Sequence, residues 1–175
     1  DLFDLFGVEI LKENFSKITG LKLQASVLEN HELFSELNKL DLSGVMLMIN
    51  VSGFELSEIS MFMKQFSRLN IKQLILQIGH QAYPTKIKDT GLQKVLVLKA
   101  AYKEVEICVA DHVDAEHEMA TIIPLLALSS GATIIGVGAA AKANTFLNYY
   151  NIDNSLLEYI TDSSEHKQNK YTPLT

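Results

Sequence analysis

The stretch QLILQIGHQAYPTKIKDTGLQKVLVLKAAYKEVEICVADHVDAEHE, residues 73–118, has the pattern of a strand, a turn and a helix, repeated once. LILQI (74–78) and VEICVA (105–110) are short apolar runs of strand length, and the segment 91–102 between them has helical spacing. Apolar runs that alternate with helices predict parallel strands covered on both faces. In folds of this kind, ligands bind where the strands end and the loops begin.

The composition indicates one globular protein with a core of its own. The chain has 175 residues, is 47% hydrophobic and carries a formal net charge of -6. The charges form no basic block, so nucleic acid is not an expected partner. No apolar run approaches the roughly 18 residues of a membrane span, and no signal peptide is visible. Because Cys108 is the only cysteine, we expect a reducing, cytoplasmic environment.

The rest of the chain continues the alternation of strands and helices. Gly20 is predicted to end the first helix as a C-cap, Asn30 to cap the second, and Pro124 to kink or divide the last long one. Strands are predicted at 21–25, 45–49, 74–78, 105–110, 132–137 and 156–160, and helices at 31–40, 56–69, 91–102 and 114–130. Residues 1–20 are predicted to form either one amphipathic helix or a short strand and a helix.

This alternation predicts an α/β fold with a parallel-strand (β/α) barrel-like unit. The six or seven strands are fewer than the eight of a closed barrel, so the unit is incomplete or forms an open, doubly wound sheet. Open sheet edges tend to be covered, which favours a homo-oligomer or completion by an additional chain. The chain starts at Asp1 without Met and stops at Thr175 in mid-motif, so we interpret it as a fragment.

Polar residues follow four predicted strands, where each strand ends. Asp111 and His112 come directly after the run 105–110, and His112 is a candidate metal ligand or acid/base. The alternative is an ordinary loop histidine beside an Asp111 that caps the next helix. The other three are Ser26, Ser52 and His80, which either bind substrate or simply begin turns.

A glycine turn follows the strand predicted at 132–137. Gly136, Gly138 and Lys142 could hold an anion at a helix N-terminus, where free N–H groups point outward. Asp162 comes about twenty residues later, at a strand end where a ribose hydroxyl would be met. The third glycine of a dinucleotide fingerprint is missing, so the signal is weak.

The segment 21–135 resembles the sialic acid synthase (N-acetylneuraminate synthase) family. The resemblance rests on Tyr83-Pro84, Asp89, Leu92, Asp111-His112 and Gly131-Ala132, in that order and spacing. It implies a (β/α)8 barrel that condenses phosphoenolpyruvate with an N-acyl hexose and uses a divalent metal, Mn or Mg.

Carried onto this chain, the resemblance makes His112 the metal ligand and, with Asp111, the catalytic pair. Ser52 would help to hold phosphate and Tyr83 would line the substrate site, together with Ser26 and His80. Two positions depart from the family pattern. The serine before Asp-His is Ala110 here, and Gly-Val-Gly (136–138) stands where the family has Glu-Lys-His, the source of a second metal histidine.

The segment 136–175 resembles the C-terminal domain of sugar C-methyltransferases. The motif is Gly-x-Gly-Ala-x-x-Lys-x-Asn-Thr, which includes Asn144, followed by a strand ending in Asp162 and by Lys-Gln-x-x-Tyr-x-Pro. The resemblance implies a Rossmann-like strand-helix-strand tail that shapes a sugar-nucleotide site, with Gly136, Gly138, Lys142, Asn144 and Asp162 as contacts. No S-adenosylmethionine site is visible in this chain.

Two functions follow as hypotheses. The first is a nonulosonic acid synthase-like domain for surface carbohydrate, with a partial barrel at 1–135 and a Rossmann-like tail at 136–175. The second is a non-catalytic module, derived from both families, that holds a nucleotide sugar. The junction at 135/136 is either a natural fusion or the result of an omitted segment.

Overall fold

The computed structural model describes residues 1–79, 82–114, 116–120, 122–133, 135–137, 159–161 and 166. The helices are α1 (Leu5–Asn14), α2 (His31–Leu37), α3 (Leu56–Phe66), α4 (Gln93–Ala101) and α5 (Ile122–Ser129). The strands are β1 (Gly20–Leu23), β2 (Leu42–Asn50), β3 (Ile71–Ile78), β4 (Glu106–Val109), β5 (Ile135–Val137) and β6 (Tyr159–Thr161).

Strands β1 to β4 form one parallel sheet in the order of the sequence. Single parallel bridges extend the ladder at both edges, from Leu2 to Leu23 and from Cys108 to Thr133. A doubly wound sheet reverses its strand order at a switch point. The unreversed order here is that of a (β/α) barrel wall, so the predicted α/β barrel-like fold is confirmed. β5 and β6 pair in parallel with each other.

One face of the sheet, here called the outer face, is apolar at every position paired across the strands. Its residues stand in register across the strands and join one core with the buried side chains of α2, α3 and α4. The outer-face residues are Leu21, Leu23, Leu47, Ile49, Leu74, Leu76, Ile78, Ile107 and Val109. This core holds the sheet and the helices together. Burying one leucine side chain fully stabilises the folded state by about 1.5–3 kcal/mol.

The opposite face, the inner face, mixes polar and apolar side chains. One row of the ladder is Lys22, Met48, Ile75 and Glu106, and the next is Asn50, Gln77, Cys108 and Thr133. This face lines a cavity of about 800 Å³. α2, α3 and α4 cover the outer face, and much of the inner face is buried as well, so the expectation of two covered faces agrees with the described sheet. The buried inner-face residues are Asn50, Ile75, Gln77 and Cys108.

The N-terminal predictions need correction at Gly20. α1 ends at Asn14, a 3₁₀ turn follows at Phe15–Lys17, and Gly20 begins β1 instead of capping the helix. β1 is shorter than predicted because the chain turns into a second 3₁₀ turn, Ala25–Val27. The predicted cap Asn30 is confirmed, because its Oδ1 accepts a hydrogen bond from Leu33 N at 3.0 Å.

The helix predicted at 114–130 is also shorter in the structure. A 3₁₀ turn, Glu118–Ala120, precedes α5, and Pro124 lies in the first turn of α5. Proline is tolerated there because first-turn N–H groups have no intrahelical acceptor. The predicted kink at Pro124 is therefore wrong. None of the helices in the described ranges is both long and apolar enough to cross a membrane.

Candidate functional site

The carboxyl ends of β2 and β3 are tied together by Ser52. Its Oγ donates a hydrogen bond to Gly79 O at 2.6 Å, and its N–H donates to Asn50 Oδ1 at 2.9 Å. The Asn50 side chain is fully buried and approaches Gln77 Oε1 at 3.5 Å. Since the hydroxyl proton of Ser52 already has an acceptor, only its lone pairs remain for a ligand unless this bond breaks.

Gly79 lets β3 and β4 approach each other where they end. Its φ is +118°, and a Cβ at this position would lie 2.1 Å from Ala110 O. No other residue type fits both constraints. The contact brings the end of β3 against Ala110, directly before Asp111 and His112, and so links the Ser52 end of the site to the His112 end.

Tyr83 and His112 form an aromatic pair at this edge of the sheet. Tyr83 Oη lies 3.2 Å from His112 Nε2, and the ring centroids are 4.4 Å apart. Thr85 N donates to His112 O at 2.8 Å, which fixes the loop after β3 to the loop after β4. Tyr83 is 74% exposed, so the pair offers an aromatic surface to a ligand and a phenol–imidazole hydrogen bond beneath it.

Asp111 lies on the rim of the inner-face cavity. Its carboxylate is exposed, Oδ1 accepts a hydrogen bond from Val113 N at 3.0 Å, and the residue lines the cavity. Within the described ranges, no three His, Cys, Asp or Glu side chains are grouped so that they could hold a metal ion. One imidazole and one carboxylate are too few protein ligands for a firm divalent site. The metal role of His112 stays a prediction.

Burial shifts the pKa values of two side chains on the inner face. Burial lowers the pKa of the Lys22 ammonium, and the opposing effect of Cys108 is smaller. Burial also raises the pKa of the Cys108 thiol to about 12, against a hydrogen bond from Gln77 that lowers it. Lys22 and Cys108 both line the cavity. The cavity therefore contains a cation whose charged form an anionic ligand would stabilise.

Glu106 is held in place farther along the same face. Gln73 Nε2 donates to Glu106 Oε1 at 2.6 Å, and Thr133 Oγ1 lies 3.5 Å from Glu106 Oε2. These contacts join β3, β4 and the segment before β5. Each carboxylate oxygen therefore has a partner within the protein, and Glu106 links β3 and β4 to Thr133.

Lys22 was not among the site residues predicted from the sequence. The signal was present, because a lysine between Leu21 and Leu23 in a strand must lie on the face opposite to the two leucines. Whether that face meets solvent or the inside of a barrel depends on the other strands. Gln73, Gln77 and Glu106 gave the same signal in their own strands.

The remaining predicted residues separate into two groups. Ser26 is exposed in the 3₁₀ turn after β1, and Gly136 is paired with Ile160 between β5 and β6. His80, Gly138, Lys142, Asn144 and Asp162 lie outside the described residues, so their roles stay predictions.

The fold and the site together define a (β/α) barrel-type domain with a polar edge at the carboxyl ends of its strands. Solved structures with the same fold include an N-acetylneuraminic acid (sialic acid) synthetase from Leptospira borgpetersenii. It is 28% identical, has a TM-score of 0.59, and the match covers 74% of this chain and 41% of that one.

Two spore coat polysaccharide biosynthesis proteins share the fold at lower identity. Protein E from Chromobacterium violaceum has a TM-score of 0.61 at 18% identity, covering 90% of this chain and 43% of that one. SpsE from Bacillus subtilis has a TM-score of 0.63 at 14% identity, and the match covers 96% of this chain and 39% of that one. The chain thus spans about two fifths of the length of these three proteins.

A sequence model of the C-methyltransferase C-terminal domain family matches residues 85–175. The chain belongs to this family. The match includes α4, β4 and Asp111-His112 as well as the tail from Gly136. Both resemblances drawn from the sequence are thereby confirmed, while the domain boundary at 135/136 stays a prediction. A search of curated proteins found no match.

Proposed function

We propose that this chain is a synthase-like domain of carbohydrate biosynthesis that condenses phosphoenolpyruvate with an N-acyl hexose. The supporting observation is the cavity on the inner face, whose wall contains Lys22 and whose rim contains Asp111. A cavity of about 800 Å³ lies within the range of roughly 300–1,000 Å³ typical of small-molecule sites.

Lys22 is suited to the anionic substrate. Its ammonium is partly desolvated, so a carboxylate or phosphate bound beside it would compensate for the cost of burying the charge. Gln77 also lines the cavity, where it can offer amide hydrogen bonds. This end of the site would therefore hold phosphoenolpyruvate.

The aromatic pair is suited to the sugar. The exposed ring of Tyr83 offers a flat apolar surface, and the imidazole of His112 can exchange a proton with a hydroxyl or an aldehyde oxygen. In the condensation, C3 of phosphoenolpyruvate bonds to the aldehyde carbon and the aldehyde oxygen gains a proton. Water then adds at C2 and inorganic phosphate leaves. His112 would supply the proton to the oxygen, and the Asp111 carboxylate would accept the proton from the water that adds at C2.

Phosphate release tests this proposal directly. The protein is incubated with phosphoenolpyruvate and N-acetylmannosamine, with and without Mn²⁺, and inorganic phosphate is measured. Sugar-dependent release is expected from the wild type, and His112→Ala is expected to lower it by about 100-fold or more, in the range of a lost acid/base group. Lys103→Ala, at an exposed position, is the matched control. Release that is absent, or unchanged in His112→Ala, would contradict the proposed chemistry.

The family match favours a second candidate, a non-catalytic module that holds a nucleotide sugar. Residues 85–175, which include His112, belong to the C-methyltransferase C-terminal domain family, and Ala110 lacks the hydroxyl of the synthase pattern. This candidate predicts micromolar binding of UDP-N-acetylglucosamine by calorimetry, with no phosphate release from phosphoenolpyruvate. Phosphate release without nucleotide-sugar binding would support the synthase instead.

A further inference from the structure

A second cavity lies between α2 and α3, away from the inner face. Its volume is about 420 Å³. The lining residues of α2 follow helical spacing, as do those of α3, so the two helices present one face each to a shared groove. The lining residues are His31, Phe34, Ser35 and Asn38 with Met61, Lys64, Gln65 and Arg68.

The floor of the groove is apolar. Phe34 is 1% exposed, and its ring lies 5.6 Å from that of Phe66 between centroids. Both rings belong to the core that joins the helices to the outer face of the sheet. This packing sets the spacing of α2 and α3 beneath the polar residues of the groove.

The charge of this groove is opposite to that of the chain. The chain has a formal net charge of -6, yet none of the residues lining the groove is a carboxylate. Two cations line it, Lys64 in the last turn of α3 and Arg68 two residues after that helix ends. On another side of α2, Glu36 binds both Lys12 and Lys39. In the described part of the chain, no salt bridge is formed by Lys64 or Arg68. These cations are available to an anion from solution.

We propose that the groove between α2 and α3 binds a small phosphate monoester, such as a sugar phosphate. The Arg68 guanidinium can hold two phosphate oxygens and Lys64 can add a point charge. Ser35, Asn38 and Gln65 offer hydrogen bonds to hydroxyl groups, and the volume fits a compact ligand. The groove lies between two helices that pack on the outer face, and it is separate from the inner-face cavity. The proposal is therefore independent of the proposed function.

The test is a ¹⁵N-resolved NMR titration of the whole chain at low ionic strength. The probes are glucose 6-phosphate, inorganic phosphate and uncharged glucose. At the groove residues, saturable shifts are expected with glucose 6-phosphate, weaker ones with phosphate, and none with glucose. Shifts at the inner-face cavity would report the separate anion site around Lys22. Because the side chains are exposed, we expect a millimolar Kd that rises with added salt.

Paired variants identify the residues. Lys64→Ala with Arg68→Ala should raise the Kd by about tenfold or more, because two charge-assisted contacts are lost. Lys103→Ala, another exposed cation, should change it less than about twofold by the same reasoning. Lys22→Met should leave it unchanged, which separates the groove from the inner-face cavity.

Three results would overturn the proposal. Shifts that never saturate would indicate an adventitious ion only. Equal affinity for inorganic phosphate and glucose 6-phosphate would mean that the groove does not recognise the sugar. Equal affinity of the double variant and the wild type would place the binding elsewhere on the protein.

Discussion

The two faces of the β1–β4 sheet carry different kinds of side chain. On the outer face, every residue in the ladder is Leu, Ile or Val, and the face joins one core with α2, α3 and α4. On the inner face, Lys22, Glu106 and Gln77 alternate with Met48 and Ile75. The same strands thus provide stability on one side and chemical groups on the other.

This division follows from the geometry of a parallel strand. Neighbouring residues point to opposite faces, so one strand can serve two purposes without compromise between them. Leucines on the outer face maximise the apolar area removed from water. Polar groups on the inner face cost stability and persist where they have partners, as Glu106 does, or where a ligand supplies one.

The largest effect is expected from truncating adjacent residues of β2 on the two faces. Leu47→Ala removes a side chain that is 0% exposed in the outer core, so the free energy of unfolding should fall by about 3 kcal/mol. Met48→Ala truncates a half-buried residue of the inner face and should cost about 1 kcal/mol. Urea denaturation of the two variants measures both values.

The comparison between the faces would fail if Met48→Ala cost as much as Leu47→Ala. An equal cost would mean that the inner face is a packed core in solution. The functional cavity would then have to lie elsewhere.

A smaller effect is expected at Lys22, and it depends on pH. Because burial lowers the pKa of this lysine below its ordinary 10.5, the folded state disfavours the charged form. The resulting loss of stability is fully present below the pKa that Lys22 has in the folded state. It disappears as the pH rises through that pKa toward 10.5, the ordinary pKa of lysine. Lys22→Met should therefore be more stable than the wild type at pH 7. The difference in the free energy of unfolding between the two proteins should be smaller at pH 10.

Urea denaturation of the wild type and of Lys22→Met at pH 7 and at pH 10 checks the direction of this change. The conservative variant Lys22→Arg retains the charge and should not gain stability at pH 7. If the stability advantage of Lys22→Met increased with pH, the lysine would have gained a charged partner in the folded state, and desolvation would not be the dominant effect.

At neutral pH, the smallest effect on the free energy of unfolding is expected at Cys108, on the same face. With its pKa raised to about 12, almost no thiolate forms at pH 8, so iodoacetamide should react with the folded protein at least about 100-fold more slowly than with the unfolded chain. Above about pH 9, the unfolded state loses the proton first, so stability should fall as the pH rises. Cys108→Val should lack this pH-dependent loss. Fast labelling of the native protein would show that solvent reaches the inner face freely.

Several features were predictable because local sequence decides them. The strand–helix–strand unit from β3 to β4 follows from short apolar runs around a helical segment, and Asn30 caps α2 with its own side chain. The positions of Ser52, Tyr83 and His112 after strands also follow from the sequence order. Parallel neighbours end at one edge, and the observed Tyr83–His112 pair agrees with that rule.

Other features were not predictable because competing local signals are equally strong. Gly20 is as acceptable at a strand start as at a helix end, and Pro124 is as acceptable in a first turn as at a kink. Packing against the sheet decides between these alternatives. Within the described residues, the cavity groups Lys22 and Gln77 also escaped notice, since each is a single polar residue in an apolar run.

The order of residues was enough to specify strands, helices and the polar residues after each strand, because alternation and capping act over a few positions. The tertiary structure alone decided that Lys22, Met48, Ile75 and Glu106 share one row, and that Tyr83 reaches His112. Register and strand order are long-range quantities. They are selected by burial of the leucine face against the helices, which no single segment of the chain encodes.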